Sequence, residues 1–229
     1  MKLLGAAKIS DKNRITLSKE VRDKLKVDSG DLLLFFEDDE GNVLVCTENT
    51  LPSGKSGVEA LKLLVTGPYS AGKSTVVSNL SRKAANIEAF GTTVGLDFGR
   101  KYDEVNVLDI HIFGTPGHKR FAFLQEILAQ GSAGVLLVVD STNPETFSLA
   151  QDILYRVKRE ISEDAPIVIL ANKQDLEGAL SPEEVAKQLN VGVDVPVVGT
   201  VATQNQGLRE ALQLILKQIS KKAEKKTNE

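Results

Sequence analysis

GPYSAGKS, Gly67 to Ser74, follows the apolar run LKLLVT and opens a helix-like stretch expected from Lys73 to about Ala85. It matches G-x-x-x-x-G-K-[ST] in the strand, turn and helix setting that the chemistry of this pattern requires. Backbone N–H groups of Tyr69, Ser70, Ala71, Gly72, Lys73, Ser74 and Thr75 can converge on an anion at the helix start. Gly67 and Gly72 permit the tight path. Lys73 would neutralise outer phosphate oxygens, and Ser74 would place its hydroxyl on Mg²⁺.

Downstream, short apolar runs alternate with longer amphipathic ones. VNVLDIHIFG precedes a helix from about Lys119 to Gln130, and GVLLVVD one from about Pro144 to Glu160. PIVILAN precedes one from about Pro182 to Leu189, and PVVGTVA a last one from about Gly207. Apolar runs that do not alternate are strands covered on both faces, so an α/β fold with a mostly parallel sheet is expected. In TVGLDFGRKYDEVNVLDIHIF a turn near Asp103 and Glu104 makes a hairpin, which adds one antiparallel edge strand to a six-stranded sheet.

ANKQD places Asn172, Lys173 and Asp175 just after the strand PIVIL, at the carboxyl end where open α/β sheets bind ligands. A carboxylate at Asp175 can accept from the N1–H and 2-amino groups of guanine. Adenine offers an acceptor at N1 and lacks the amino group, so it would leave that carboxylate unpaired. Guanine is the expected base, and GTP or GDP the expected nucleotide.

These motifs resemble those of the Ras-like small GTPases, over about Ala60 to Lys221 (a G domain at residues 60–221). The resemblance makes TTVGLDF the first switch, with Thr93 rather than Thr92 as the residue that reaches Mg²⁺ and senses the third phosphate. VATQNQG then supplies the guanine-carbonyl loop, Val201, Ala202 and Thr203, through the Ala202 N–H. HIFGTPGH occupies the second switch, with Gly114 where the family has a metal-associated aspartate. The metal ligands implied are Ser74 and Thr93 with phosphates and water, and weaker Mg²⁺ affinity follows. Gly117 keeps the N–H that meets the terminal phosphate. His118 stands for the glutamine that orients the attacking water and is the candidate catalytic residue for slow hydrolysis. FGTPG after LDFG also resembles a prokaryotic branch related to MglA, which implies a roadblock/LC7-type partner.

The first fifty residues read differently: AAKISDKNRITLS is strand-like, KEVRDKLK a brief helix, and DLLLFFEDDEGNVLVCT a hairpin turning at Glu40 and Gly41. A fragment of this size buries little alone and is expected to need a second copy. Residues 1–48 resemble the AbrB/SpoVT swapped-hairpin domain, a small mainly-β module that folds as an intertwined homodimer and often binds DNA. Lys8, Arg14 and Arg22 fall where that family places basic DNA contacts, whereas Asp23 and EDDE at Glu37 to Glu40 oppose DNA. DNA binding and dimerisation alone both stand. Residues 49–59, NTLPSGKSGVE, read as a linker.

A formal charge of -3 with 41% hydrophobic and 26% charged residues describes a globular chain, not a polybasic or disordered one. The single cysteine, Cys46, fits a reducing compartment, and a cytoplasmic location is expected. No stretch approaches the roughly 20 apolar residues of a transmembrane helix. Residues 222–229 read as a flexible basic tail. The expectation is a GTP-hydrolysing switch dimerised through its N-terminal module. The alternatives are a nucleotide-tuned DNA-binding regulator and a non-hydrolysing scaffold.

Overall fold

The computed structural model describes residues 15–28, 33–37, 43–47, 60–81, 83–89, 92–103, 108–118 and 121–227 of the 229. The chain divides into two compact units, Met1–Pro52 and Ser53–Glu229.

In the first unit, α1 (Lys19–Leu25) starts at Ser18, whose Oγ accepts the Val21 N–H at 3.3 Å. It ends at Lys26 in the left-handed region, φ 55°. Strands β1 (Leu33–Glu37) and β2 (Val43–Thr47) pair antiparallel from Leu33↔Thr47 to Glu37↔Val43, as the hairpin reading requires. Residues 15–18 of the expected first strand are not extended into a sheet. Its remainder, the turn at Glu40 and Gly41, and the linker at 49–59 lie outside the described residues.

The second unit is a single sheet between helices. Its elements are β3 (Ala60–Thr66), α2 (Lys73–Leu80), β4 (Lys83–Ala89), β5 (Thr92–Asp103), β6 (Leu108–Gly114) and α3 (Ala122–Ala129). Then come β7 (Gly134–Asp140), α4 (Phe147–Glu160), β8 (Ile167–Asn172), α5 (Pro182–Gln188), β9 (Val197–Thr200) and α6 (Leu208–Thr227). The strand order is β4-β5-β6-β3-β7-β8-β9. From β6 to β9 every pairing is parallel, and β5 joins antiparallel to β6. All six expected strands are present. Leu63, Val65, Leu136, Val138, Val168 and Leu170 pack with Val76, Val77, Ala211 and Ile215 of α2 and α6 in one fully buried cluster. That central burial stabilises the parallel strands whose ends carry the site.

Three expectations need correction. The helix after the glycine-rich loop stops at Leu80, not near Ala85, because Ser81 is extended and its hydroxyl turns back to donate to the Val77 carbonyl. Residues beyond it form β4, a seventh strand antiparallel to β5, where edge pairing overrides the helical reading. Finally, α6 continues to Thr227, so residues 222–227 are helical and not a separate tail.

Candidate functional site

The loop from Gly67 to Ser74 leaves the central strand β3 and enters α2. Three residues take left-handed backbone: Gly67 at φ 144°, Ser70 at 60° and Gly72 at 102°. A Cβ on Gly67 would sit 2.1 Å from the Val138 carbonyl oxygen, and one on Gly72 would sit 2.3 Å from Asn172 Nδ2. Both positions therefore require glycine. Lys73 is buried and its Nζ donates to the Pro68 carbonyl at 2.6 Å, inside the loop it serves. Burial lowers its pKa to about 8, against an opposing pull from the Asp97 carboxylate.

Asn172 ties the distant motifs together. Its Nδ2 donates to the Ala71 carbonyl at 2.9 Å, and its Oδ1 accepts from Thr200 Oγ1 at 3.1 Å and from the Ala202 N–H at 3.0 Å. One buried amide thus joins the phosphate loop, the end of β9 and the loop of Val201, Ala202 and Thr203. The Ala202 N–H, expected on the guanine carbonyl, here meets Asn172. Lys173, at φ 69°, pairs with Asp140 Oδ2 at 2.5 Å. Burial would raise the Asp140 pKa, but hydrogen bonds from Lys173 and Thr142 bring it below its usual value. Asp175 is exposed at the same strand end.

The loop after β6 is fastened to the phosphate loop. Thr115 donates its N–H to the Val65 carbonyl at 2.9 Å and shares a 2.9 Å hydrogen bond between its hydroxyl and that of Thr66. Gln125 Nε2 of α3 donates to the Pro116 carbonyl at 3.0 Å. Gly117 and His118 follow, and the His118 ring stacks on Tyr69 with centroids 4.3 Å apart. Glycine is required at 117, since a Cβ would lie 2.6 Å from the Tyr69 backbone nitrogen.

Sequence reasoning missed Asp97. It faces Gly114 across the β5 and β6 ladder, and a Cβ at 114 would lie 3.1 Å from its Oδ2. The Ser74 hydroxyl donates to its carboxylate, and burial raises its pKa against that bond and the Lys73 charge. A carboxylate thus stands beside the hydroxyl expected on the metal, supplied by the strand opposite Gly114. The signal was the aspartate of TTVGLDF, visible only once the strand register is known. Thr93 lies in β5 four residues earlier, about 13 Å of extended chain from Asp97. Of the basic residues proposed for DNA, Arg22 is exposed in the last turn of α1. Lys8 and Arg14 lie outside the described residues.

Comparison with known proteins bears on the fold and the family. The solved structure of the Arl6 BBS3 small GTPase from Trypanosoma brucei, with bound nucleotide analogue GppNp, superposes with a TM-score of 0.59 at 20% identity. It covers 71% of this chain and 99% of that one, and shows the fold. The Ras-related protein SEC4 of Saccharomyces cerevisiae is 25% identical over 172 residues, 74% of this chain and 80% of its own length. The uncharacterised protein MJ1339 of Methanocaldococcus jannaschii is 30% identical over 160 residues, 69% of this chain and 96% of its own length. Residues 62–221 match the Ras family model, and with the phosphate loop and the Asn172 junction in place the chain belongs to the Ras family of small GTPases.

Proposed function

We propose that the protein is a GTP-binding switch that hydrolyses GTP to GDP slowly and works as a homodimer through its N-terminal unit. The observation that carries the nucleotide reading is the Asn172 junction, in which one side chain holds the phosphate loop and the loop expected at the base in a fixed relation. Asp175 accepts from the guanine edge, and Lys73 with the loop N–H groups meets the phosphates. Gly117 contacts the third phosphate through its N–H, and His118 orients the attacking water.

The oxygen donors of Ser74 and Asp97 fit a hard divalent cation, with Thr93 joining when the first switch closes. Mg²⁺ bound there supplies charge neutralisation between the phosphates. The dimer reading is supported by the apolar side chains Ile15, Phe35, Val43 and Val45, all exposed on a unit too small for a core of its own.

Single-turnover hydrolysis of [γ-³²P]GTP, beside an ATP control and His118→Ala, tests the switch. The expected result is tight GTP binding, weak ATP binding, and slow turnover that falls in the variant. Equal binding of ATP and GTP would overturn the guanine reading.

A further inference from the structure

Tyr69 and His118 stack at 4.3 Å between ring centroids with 29° between their planes. Both side chains are exposed, Tyr69 at 61%, so core packing does not force the contact. It clamps the loop after β6 onto the phosphate loop. Beneath the rings, Gly117 is pressed onto the donors themselves: a Cβ there would lie 2.6 Å from the Tyr69 backbone nitrogen and 2.7 Å from Lys73 Nζ. A phosphate group extending past those two nitrogens towards the loop after β6 would meet Gly117. Thr115 and Pro116 are fixed by the Val65 carbonyl and by Gln125, so the segment that must move is Gly117 with His118.

We infer that Tyr69 and His118 form an aromatic latch that holds Gly117 over the phosphate loop and sets how strongly the site discriminates between nucleoside tri- and diphosphates. The inference rests on the guanine-nucleotide reading above. A third phosphate must lift Gly117 and break the stack, whereas a diphosphate ends before reaching it. The latch therefore costs triphosphate affinity alone, by the worth of one exposed aromatic contact, about two- to ten-fold. The phenol hydroxyl has no part in this, so phenylalanine should replace tyrosine.

The test is equilibrium binding of fluorescent GDP and of a fluorescent, non-hydrolysable β,γ-imido analogue of GTP to the full chain. Wild type, Tyr69→Ala, Tyr69→Phe, His118→Ala and the double alanine variant are compared. The expected result is that each alanine variant raises triphosphate affinity relative to diphosphate by about two- to ten-fold. The double variant should gain no more than either single one, and Tyr69→Phe should keep the wild-type ratio. An unchanged or lowered ratio in Tyr69→Ala, or gains that multiply in the double variant, would overturn the latch while leaving the nucleotide reading intact. Failure of wild type to bind either nucleotide would overturn both.

Discussion

Asp97 and Gly114 face each other across β5 and β6, and the carboxylate of one fills the space that a side chain on the other would need. Where Gly114 offers no carboxylate, the neighbouring strand places one beside Ser74. The two positions lie one strand spacing apart, about 5 Å.

Asp97 should therefore matter for metal and cost stability. Burial raises its pKa, so its ionised form is penalised in the folded state, and the penalty grows as pH rises above the ordinary carboxylate range. At pH 7 without metal, Asp97→Asn should melt higher than wild type, by a few degrees. Its nucleotide affinity should gain at least about ten-fold less from Mg²⁺ than that of wild type. Thermal melts in EDTA and nucleotide titrations with and without Mg²⁺ check both halves. Gly114→Asp alone should destabilise by about 1–3 kcal/mol, since its Cβ would meet Asp97 and Val77 at 3.0 Å. Combined with Asp97→Gly it should regain the Mg²⁺ response.

The phosphate loop and Asn172 were legible because their chemistry depends on local spacing: a strand, a turn of fixed length, a helix. Asp97 was not. Its partner Gly114 is remote in sequence, and only strand register brings the two together. Ser81 ended α2 by a side-chain bond that competes with the helix, and β4 formed because β5 offered an open edge. Helical periodicity carries no trace of either event.

Asn172→Ala should show what the junction holds. The variant leaves the buried Ala202 N–H and the Ala71 carbonyl without their partner, and three hydrogen bonds are lost. The expected cost is about 2–4 kcal/mol of stability and at least about a hundred-fold in GDP affinity. Urea unfolding and GDP titration measure the two. Gln174→Ala nearby, which loses bonds to Ser141 and Leu180, should lower stability with a smaller effect on affinity.

His111 is buried in β6 with neither ring nitrogen hydrogen-bonded, beside Phe98 and 3.6 Å from the Asp109 carboxylate. Arg100 already engages that carboxylate at 2.9 and 2.7 Å, and Lys62 lies opposite His111 on β3. Burial lowers the imidazole pKa, Asp109 opposes the shift and Arg100 adds to it. The unfolded chain therefore binds a proton below pH 6.5 that the folded chain refuses. The histidine's contribution is fully present above 6.5 and is lost as pH falls from there towards the folded value. Between pH 7.5 and 5.5, wild type should lose up to about 1.4 kcal/mol per pH unit below 6.5. In His111→Phe that part of the loss should vanish. Urea midpoints at the two pH values decide it, with His118 common to both proteins.

The N-terminal unit gives the last prediction. Among its described residues Val27 is the buried apolar side chain, whereas Phe35 is 54% exposed beside Val45 and the apolar face of α1 formed by Val21 and Leu25. A two-stranded hairpin with one short helix is marginal in water unless that surface is covered. On the dimer reading proposed above, a second copy of the same unit would cover it with matching chemistry, and a two-fold arrangement would let each Phe35 enter the other's groove. Light scattering on the full chain should give twice the 24.7 kDa chain mass. Phe35→Asp should return it to the monomer mass, because a charge buried without a partner opposes the contact. The two units are separately compact, so the melting of the nucleotide-binding unit should stay unchanged in the variant while far-ultraviolet dichroism loses the hairpin signal. A monomeric wild type, or a variant that remains dimeric, would remove the N-terminal unit from the assembly and leave its apolar face without a role.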